Sequence, residues 1–377
     1  NILGNYPSSI SMSVPQPNAL QPAGRLADGI PAIVVPDVSS GIIPVPLNVS
    51  ARALPAEPKR GYIHSWNATV QAELPWGFTG QAGYVATRQR DINQIMDANA
   101  GQVIGAGNAG RPLFVRYGRT GATGILSNPG WSDYDSLQVA LMRRLAQGLQ
   151  ANVAYTWSKA FGICCDTLSD NPPQVQALEY FQLNEARLPQ DRPHNFQASF
   201  VAELPFGAGK PFLSEGGIAA ALFGGWQVNG LLSVYSGAPF TITSSGTSLD
   251  LPGSTQFADQ VKDQVEILGG IGPGQPWFDT SAFRPVTERR FGTAGVNSMR
   301  GPGFGNFDLS VFRDFGLGGD RVVQFRMEIF NLTNTPHFAN PQNSVNAANF
   351  GIISGTANSG REGIDERLFR LGLRIKF

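Results

Sequence analysis

Three histidines and one cysteine pair are the side chains best suited to metal or nucleophile chemistry in this chain: His64, His194, His337, Cys164 and Cys165. Their spacing argues against both uses. No His-x-x-x-His or Cys-x-x-Cys pair occurs, so a zinc site has no support. Adjacent cysteines in a Gly/Asp-rich loop read as loop thiols or a vicinal disulfide, not as a disulfide framework. His194 sits at a strand mouth after Asp191 and Pro193, and His337 follows Pro336 in a loop. Both read as turn or interfacial residues. Ser136 and Ser158 fall on polar positions near strand mouths, but no histidine stands beside them to activate a hydroxyl. The stretch Gly207-Ala208-Gly209-Lys210 invites a phosphate-loop reading and fails it. Leu204 stands where the first glycine belongs, and Pro211 replaces the Ser/Thr. Gly301-Pro302-Gly303-Phe304-Gly305 reads as punctuation between loop and strand. No enzyme activity and no cofactor is expected.

Hydrogen bonding is the chemistry that remains. Asn67, Gln71, Gln138, Asn152, Asn195, Gln197, Gln227 and Asn229 recur at polar positions of alternating segments. Amides both donate and accept, which suits sugars, peptides or the polar surface of a plug, and equally plain solvation of a lumen.

The segments that carry them alternate with a period of two, as strands do. Trp66, Ala68, Val70, Ala72 and Leu74 share one face, and the chain returns after Pro75-Trp76-Gly77 with Phe78, Ala82 and Tyr84. Leu137, Val139 and Leu141 lead through Gln147-Gly148 to Leu149, Ala151, Val153, Tyr155 and Trp157. Phe196 to Leu204 pairs with Trp226 to Val234, and Phe307 to Val311 with Val323 to Ile329. A ninth strand over 363–377 ends on Phe369, Leu371, Leu373, Ile375 and Phe377, with Arg370, Arg374 and Lys376 on its other face. That terminal aromatic row is the expected assembly signal of an outer-membrane barrel.

Composition bounds the alternatives. With 28 Lys+Arg against 28 Asp+Glu, the chain lacks the basic surplus of a nucleic-acid binder. No apolar run approaches the roughly 20 residues of a membrane helix; the longest candidate covers 218–223, so any membrane span must be a barrel. Alternation alone also fits a soluble sandwich. Connection lengths favour the barrel: short turns at 75–77, 147–148 and 316–320 alternate with long loops at 91–132, 163–192, 241–303 and 336–362. The expected fold is all-β, an antiparallel transmembrane β-barrel segment of about nine strands over 61–377. Residues 1–60 read as an extracellular loop region, with the C-terminus periplasmic. An odd strand count and two open edges predict that the chain is the C-terminal part of something larger.

The order of short motifs then resembles a family. Asp28-Gly29-Ile30-Pro31, Asp133-Tyr134-Asp135-Ser136-Leu137-Gln138, Tyr155-Thr156-Trp157-Ser158-Lys159 and Asp191-Arg192-Pro193-His194 come first. Glu203-Leu204-Pro205-Phe206-Gly207, Gly225-Trp226-Gln227 and Ser236-Gly237-Ala238-Pro239-Phe240 follow. Asn297-Ser298-Met299-Arg300-Gly301-Pro302-Gly303 and Phe330-Asn331-Leu332-Thr333-Asn334 complete the set. Together they resemble the C-terminal barrel of TonB-dependent outer-membrane transporters of the Oar-like group. The resemblance implies a barrel of about 22 strands, plugged by an N-terminal domain absent from this sequence, and active import of an unknown ligand driven through the TonB complex. It implies a Gram-negative outer membrane, with lipid, lipopolysaccharide and the barrel assembly machinery as partners. A passive pore, a barrel-anchored adhesin and a soluble sandwich are the rival readings.

Overall fold

The computed structural model describes residues 5–8, 22, 24–29, 32, 35–55, 57, 59–163, 173–319, 321–357 and 366–377. The Cys164-Cys165 pair lies outside the described residues. Nine strands form one antiparallel sheet: β1 (Tyr62–Leu74), β2 (Phe78–Asp97), β3 (Thr123–Ala146), β4 (Leu149–Ile163), β5 (His194–Glu203), β6 (Trp226–Tyr235), β7 (Phe304–Gly318), β8 (Arg321–Phe330) and β9 (Leu368–Lys376). Each pairs with its neighbours in chain order, leaving β1 and β9 as the edges of an open sheet. A three-residue strand, Ala51–Ala53, adds in parallel to the start of β3.

Register keeps the two faces chemically distinct, because successive side chains in a strand point to opposite sides. One cross-strand row runs Ala72, Gly80, Leu141, Val153, Ala198, Leu232, Phe307. The adjacent row on the other face runs Gln71, Gln81, Ala140, Ala154, Gln197, Ser233, Asn306. A one-residue slip in any strand would exchange these two sets. The turn between β3 and β4 fixes its hairpin: Gln147 and Gly148 both have positive φ, 52° and 77°, the handedness that matches strand twist in a two-residue turn.

Three boundaries differ from those expected. β2 and β3 run well beyond the membrane-length repeat, so the loop expected over 91–132 shrinks to 98–122. The alternation is hidden there by register shifts around Ile92 and by Asp91 at φ 55°, since a bulge breaks the period of two. β9 begins at Leu368, not 363, and residues 363–365 lie outside the described residues. The connection over 205–224 carries a short helix, α2 (Gly217–Phe223); the earlier α1 (Pro112–Tyr117) lies in the first long loop.

The long loops pack into a cap at one end of the sheet. Phe240, Ile242, Phe278, Phe283 and Met299 form one buried cluster, and Val175, Leu249, Leu251, Phe257 and Phe291 another. Backbone bonds lock loop to loop: Gly101 N–H to Pro252 O at 2.7 Å, Thr255 N–H to Gln174 O at 2.7 Å, and Trp277 N–H to Gly351 O at 2.8 Å. The molecule therefore has two parts, an open two-faced sheet and a cap with its own apolar core.

A candidate ligand pocket beneath the loop cap

All eight amides singled out from the sequence lie on one face of the sheet, opposite the apolar rows. They do not form one continuous site. Gln197 Nε2 donates to Asn195 Oδ1 at 2.9 Å, and Ser233 Oγ donates to Gln197 Oε1 at 2.5 Å. Further round, Gln227 Nε2 donates to Asn229 Oδ1 at 2.7 Å, and Asn229 Nδ2 to Ser310 Oγ at 3.2 Å. Gln138 Nε2 donates to Ser136 Oγ at 3.2 Å. Asn67, Gln71 and Asn152 stand exposed, away from these ladders.

Where this polar face meets the cap, it closes a pocket of about 520 Å³. Hydroxyls come from Thr87, Ser132, Tyr134, Thr156 and Ser158, and amides from Gln89, Gln190 and Asn195. Alternation puts the strand residues there: Thr87 faces Tyr134, Gln89 faces Ser132, and Thr156 faces Asn195 in register. Of the expected site residues only Asn195 lines it.

Two arginines bear on the pocket's roof, Arg192 by lining it and Arg300 by holding Asp191, which lines it. Arg300 closes on the buried carboxylate of Asp191 at 2.6 Å, and also donates to the carbonyls of Asp191 and Gly237. The other oxygen of Asp191 accepts from Ala160 N–H of β4 at 2.7 Å. This buried pair pins the cap to the sheet. Arg192 instead lines the pocket and donates to the carbonyls of Pro189 and Asp191. No carboxylate among the described residues pairs with it. Burial, with a smaller contribution from Arg300, holds its guanidinium below the usual arginine range. It stays protonated all the same, a cation partly stripped of water and set among hydroxyls and amides, the nearby Asp191 carboxylate being bonded to Arg300. Both arginines stand in motifs the sequence displayed, but nothing in their spacing said that 191 and 300 meet.

The histidines do other work. His194 stacks on Tyr155 on the apolar face, with Nδ1 2.7 Å from the tyrosine hydroxyl. His337 is buried against Phe304 and bonds the Gly305 carbonyl through Nε2 at 3.0 Å. His64 meets Tyr62 edge-on. Among the described residues no group of three or more His, Cys, Asp or Glu converges to hold a metal.

Above the apolar rows, the outward face changes character. Arg88 pairs with Asp135 at 2.8 Å and Arg90 with Asp133 at 2.6 Å, and the two guanidiniums lie over the rings of Trp66 and Trp131. An apolar band ending in aromatics and then charges is the profile of a wall that leaves lipid for water. The sequence model of the outer membrane beta barrel domain matches residues 1–364. The chain belongs to this outer-membrane barrel family. In barrels of this kind the apolar face meets lipid and the polar face the interior.

Among solved structures, the chain is similar to the outer membrane transporter YddB from Escherichia coli, with 8% identity, a TM-score of 0.46, and 86% of this chain and 34% of that chain covered. It is similar to the FrpB iron transporter from Neisseria meningitidis, F3-3 variant, at 14% identity and TM-score 0.39, covering 86% and 32%. The copper transporter OprC is matched at 9% identity and TM-score 0.36, covering 84% and 32%. The chain thus spans about a third of the length of each of these. No curated protein matches it in sequence.

Proposed function

We propose that this chain is the ligand-capturing part of an importer in the Gram-negative outer membrane, with the cap outside the cell and the short turns and C-terminus in the periplasm. The observation that carries the reading is the pocket. A diffusion pore is served by an open mouth, whereas here the long loops pack into two buried clusters and the segment 188–192 of one loop covers a polar pocket, with an arginine that no carboxylate among the described residues pairs with. Such a lining selects by hydrogen bonding, and its cation favours an organic ligand carrying negative charge. The Oar-like motifs support energised rather than passive entry, driven through the TonB complex. Lipid and lipopolysaccharide would contact the apolar face, and the assembly machinery the row from Phe369 to Phe377. The role is transport rather than catalysis.

The test offers cells expressing the full-length protein a mixed pool of sugars, peptides and organic acids, and follows depletion of each by mass spectrometry. Depletion of an anionic solute that stops with a proton-motive-force uncoupler, and weakens roughly tenfold or more in Arg192→Ala (one charge-assisted contact), is the expected result. Uptake of many solutes that ignores the uncoupler would establish a passive pore instead. No depletion, with cells adhering to a surface, would establish an adhesin.

A further inference from the structure

The helix α2 (Gly217–Phe223) has no charged or hydrogen-bonding side chain: its sequence is Gly-Ile-Ala-Ala-Ala-Leu-Phe. Ile218 is 82% exposed, Leu222 59% and Phe223 60%, and Phe212 just before it is exposed as well. Seven residues are too few to hold a helix in water, where isolated helices below roughly 12–15 residues are marginal. Something must both hold this one and cover it.

The holding is visible. Trp226 Nε1 donates to the Leu222 carbonyl at 2.9 Å. Arg313 donates to the same carbonyl at 2.8 Å and to that of Ala221. These are acceptors that a helix leaves open in its last turn, where a cation is also favoured. Trp226 and Arg313 are cross-strand partners on β6 and β7, in the same face as Val228, Leu232 and Phe307. Arg313 also lies over the rings of Trp226 and Phe315. The last turn of α2 is therefore fastened to the lipid-facing side of the wall, at its short-turn end. It does not lie over the interior.

The cover follows from continuity. The apolar wall runs down β6 and β7 to Trp226, exposed Phe315 and exposed Leu317, and the apolar residues of α2 extend that surface sideways. Ser214 and Glu215, both polar and exposed, precede the helix. We propose that α2 is an in-plane membrane anchor, with Ile218, Leu222 and Phe223 inserted at the acyl boundary of the leaflet on the short-turn side. A short apolar helix at a headgroup boundary gains burial without crossing the bilayer. The Arg313 guanidinium lies at that boundary on its aliphatic stem. That this leaflet is the periplasmic one rests on the orientation proposed above.

The experiment places a nitroxide at Ile218→Cys or Leu222→Cys in full-length protein carrying Cys164→Ser and Cys165→Ser, reconstituted in phospholipid bilayers. Collision with oxygen and with a water-soluble nickel chelate is compared by electron paramagnetic resonance. Leu373→Cys serves as the lipid reference and Lys210→Cys as the water reference, and heat-modifiable gel migration confirms that each variant is folded. Both helix positions should follow the lipid reference, with oxygen favoured and nickel excluded. Nickel access like that at 210 would overturn the anchor and leave α2 in water. Exclusion of both reagents would overturn it in favour of a protein cover. None of these outcomes depends on whether any ligand is imported, so transport and anchoring fail separately.

Discussion

Leu373 on β9 is 74% exposed, while Phe278 in the cap is fully buried. Both are large apolar residues, and the two regions dispose of such residues in opposite ways. The sheet turns its leucines, valines and tryptophans outward for lipid to cover, and few of its large apolar side chains are buried by protein. The cap does what a soluble domain does, closing Ile242, Phe257 and Phe278 inside and paying its polar groups back with hydrogen bonds. One chain thus meets two solvents, and the stability of each part answers to a different one.

Breaking the cap should have the largest effect. Phe278→Ala is expected to cost about 3–5 kcal/mol of cap stability, seen as rapid protease cleavage in the long loops with heat-modifiable migration of the sheet unchanged. Loss of both signals together would mean that the two regions are one cooperative unit. Arg300→Ala attacks the fastening between them. It leaves the buried carboxylate of Asp191 without its cation, at a cost of about 3 kcal/mol, so the cap should loosen near residues 187–193 first by hydrogen exchange.

The sheet should respond to lipid. Val153→Arg, on the outward face of β4, should cost roughly 2–4 kcal/mol in urea titrations from vesicles, whereas Asn152→Arg beside it on the polar face should cost little. Equal costs at the two positions would refute the assignment of faces. In the cap, pH sharpens the contrast. Arg290, bidentate to Asp259 at 2.7 Å on both arms, holds that carboxyl below the usual carboxylate range, helped by Arg284. Because the folded value is the lower one, the contribution is complete above the unfolded value of about 4 and disappears as pH falls through the folded value. Cap unfolding followed from pH 7 to pH 2 should show this acid loss, and Asp259→Asn should flatten it. The smallest effect is expected for Gln197→Ala, about 1 kcal/mol for the amide ladder with Asn195 and Ser233, measured by the same urea titration.

The contrast also explains what could be read from the sequence. The strands from Tyr62 to Lys376 announce themselves because lipid on one side and water on the other impose a period of two over many residues. The same rule placed all eight amides on one face. Where a bulge at Asp91 or the Asn128-Pro129-Gly130 break interrupts that period, the strands ran on unseen. The cap has no period to read. Phe240, Phe257, Phe278 and Phe291 stand singly among glycines and prolines, and only three-dimensional packing makes them a core. Arg192 and Arg300 belong to similar-looking short motifs, yet one lines the pocket and the other fastens its roof. That division rests on contacts across more than a hundred residues. The apolar run at 218–223 was visible as a run, but its role turned on Trp226 and Arg313 reaching back to its carbonyls.

Asp191 and Arg300 are 109 positions apart, as Arg187 and Asn297 are 110 apart, while the strands flanking Gln147-Gly148 are joined by two residues. Closing a long loop costs more entropy than closing a short one, and contacts between distant residues form late. The fastening of the cap must wait until β5 and β6, which lie between its two halves, have taken their places. The expected order of assembly is hairpins first, with the phenylalanines of the cap bare until its halves meet, which pulse proteolysis during assembly would check. Over that interval cleavage in the long loops should be fastest, and it should slow once Arg300 has closed on Asp191.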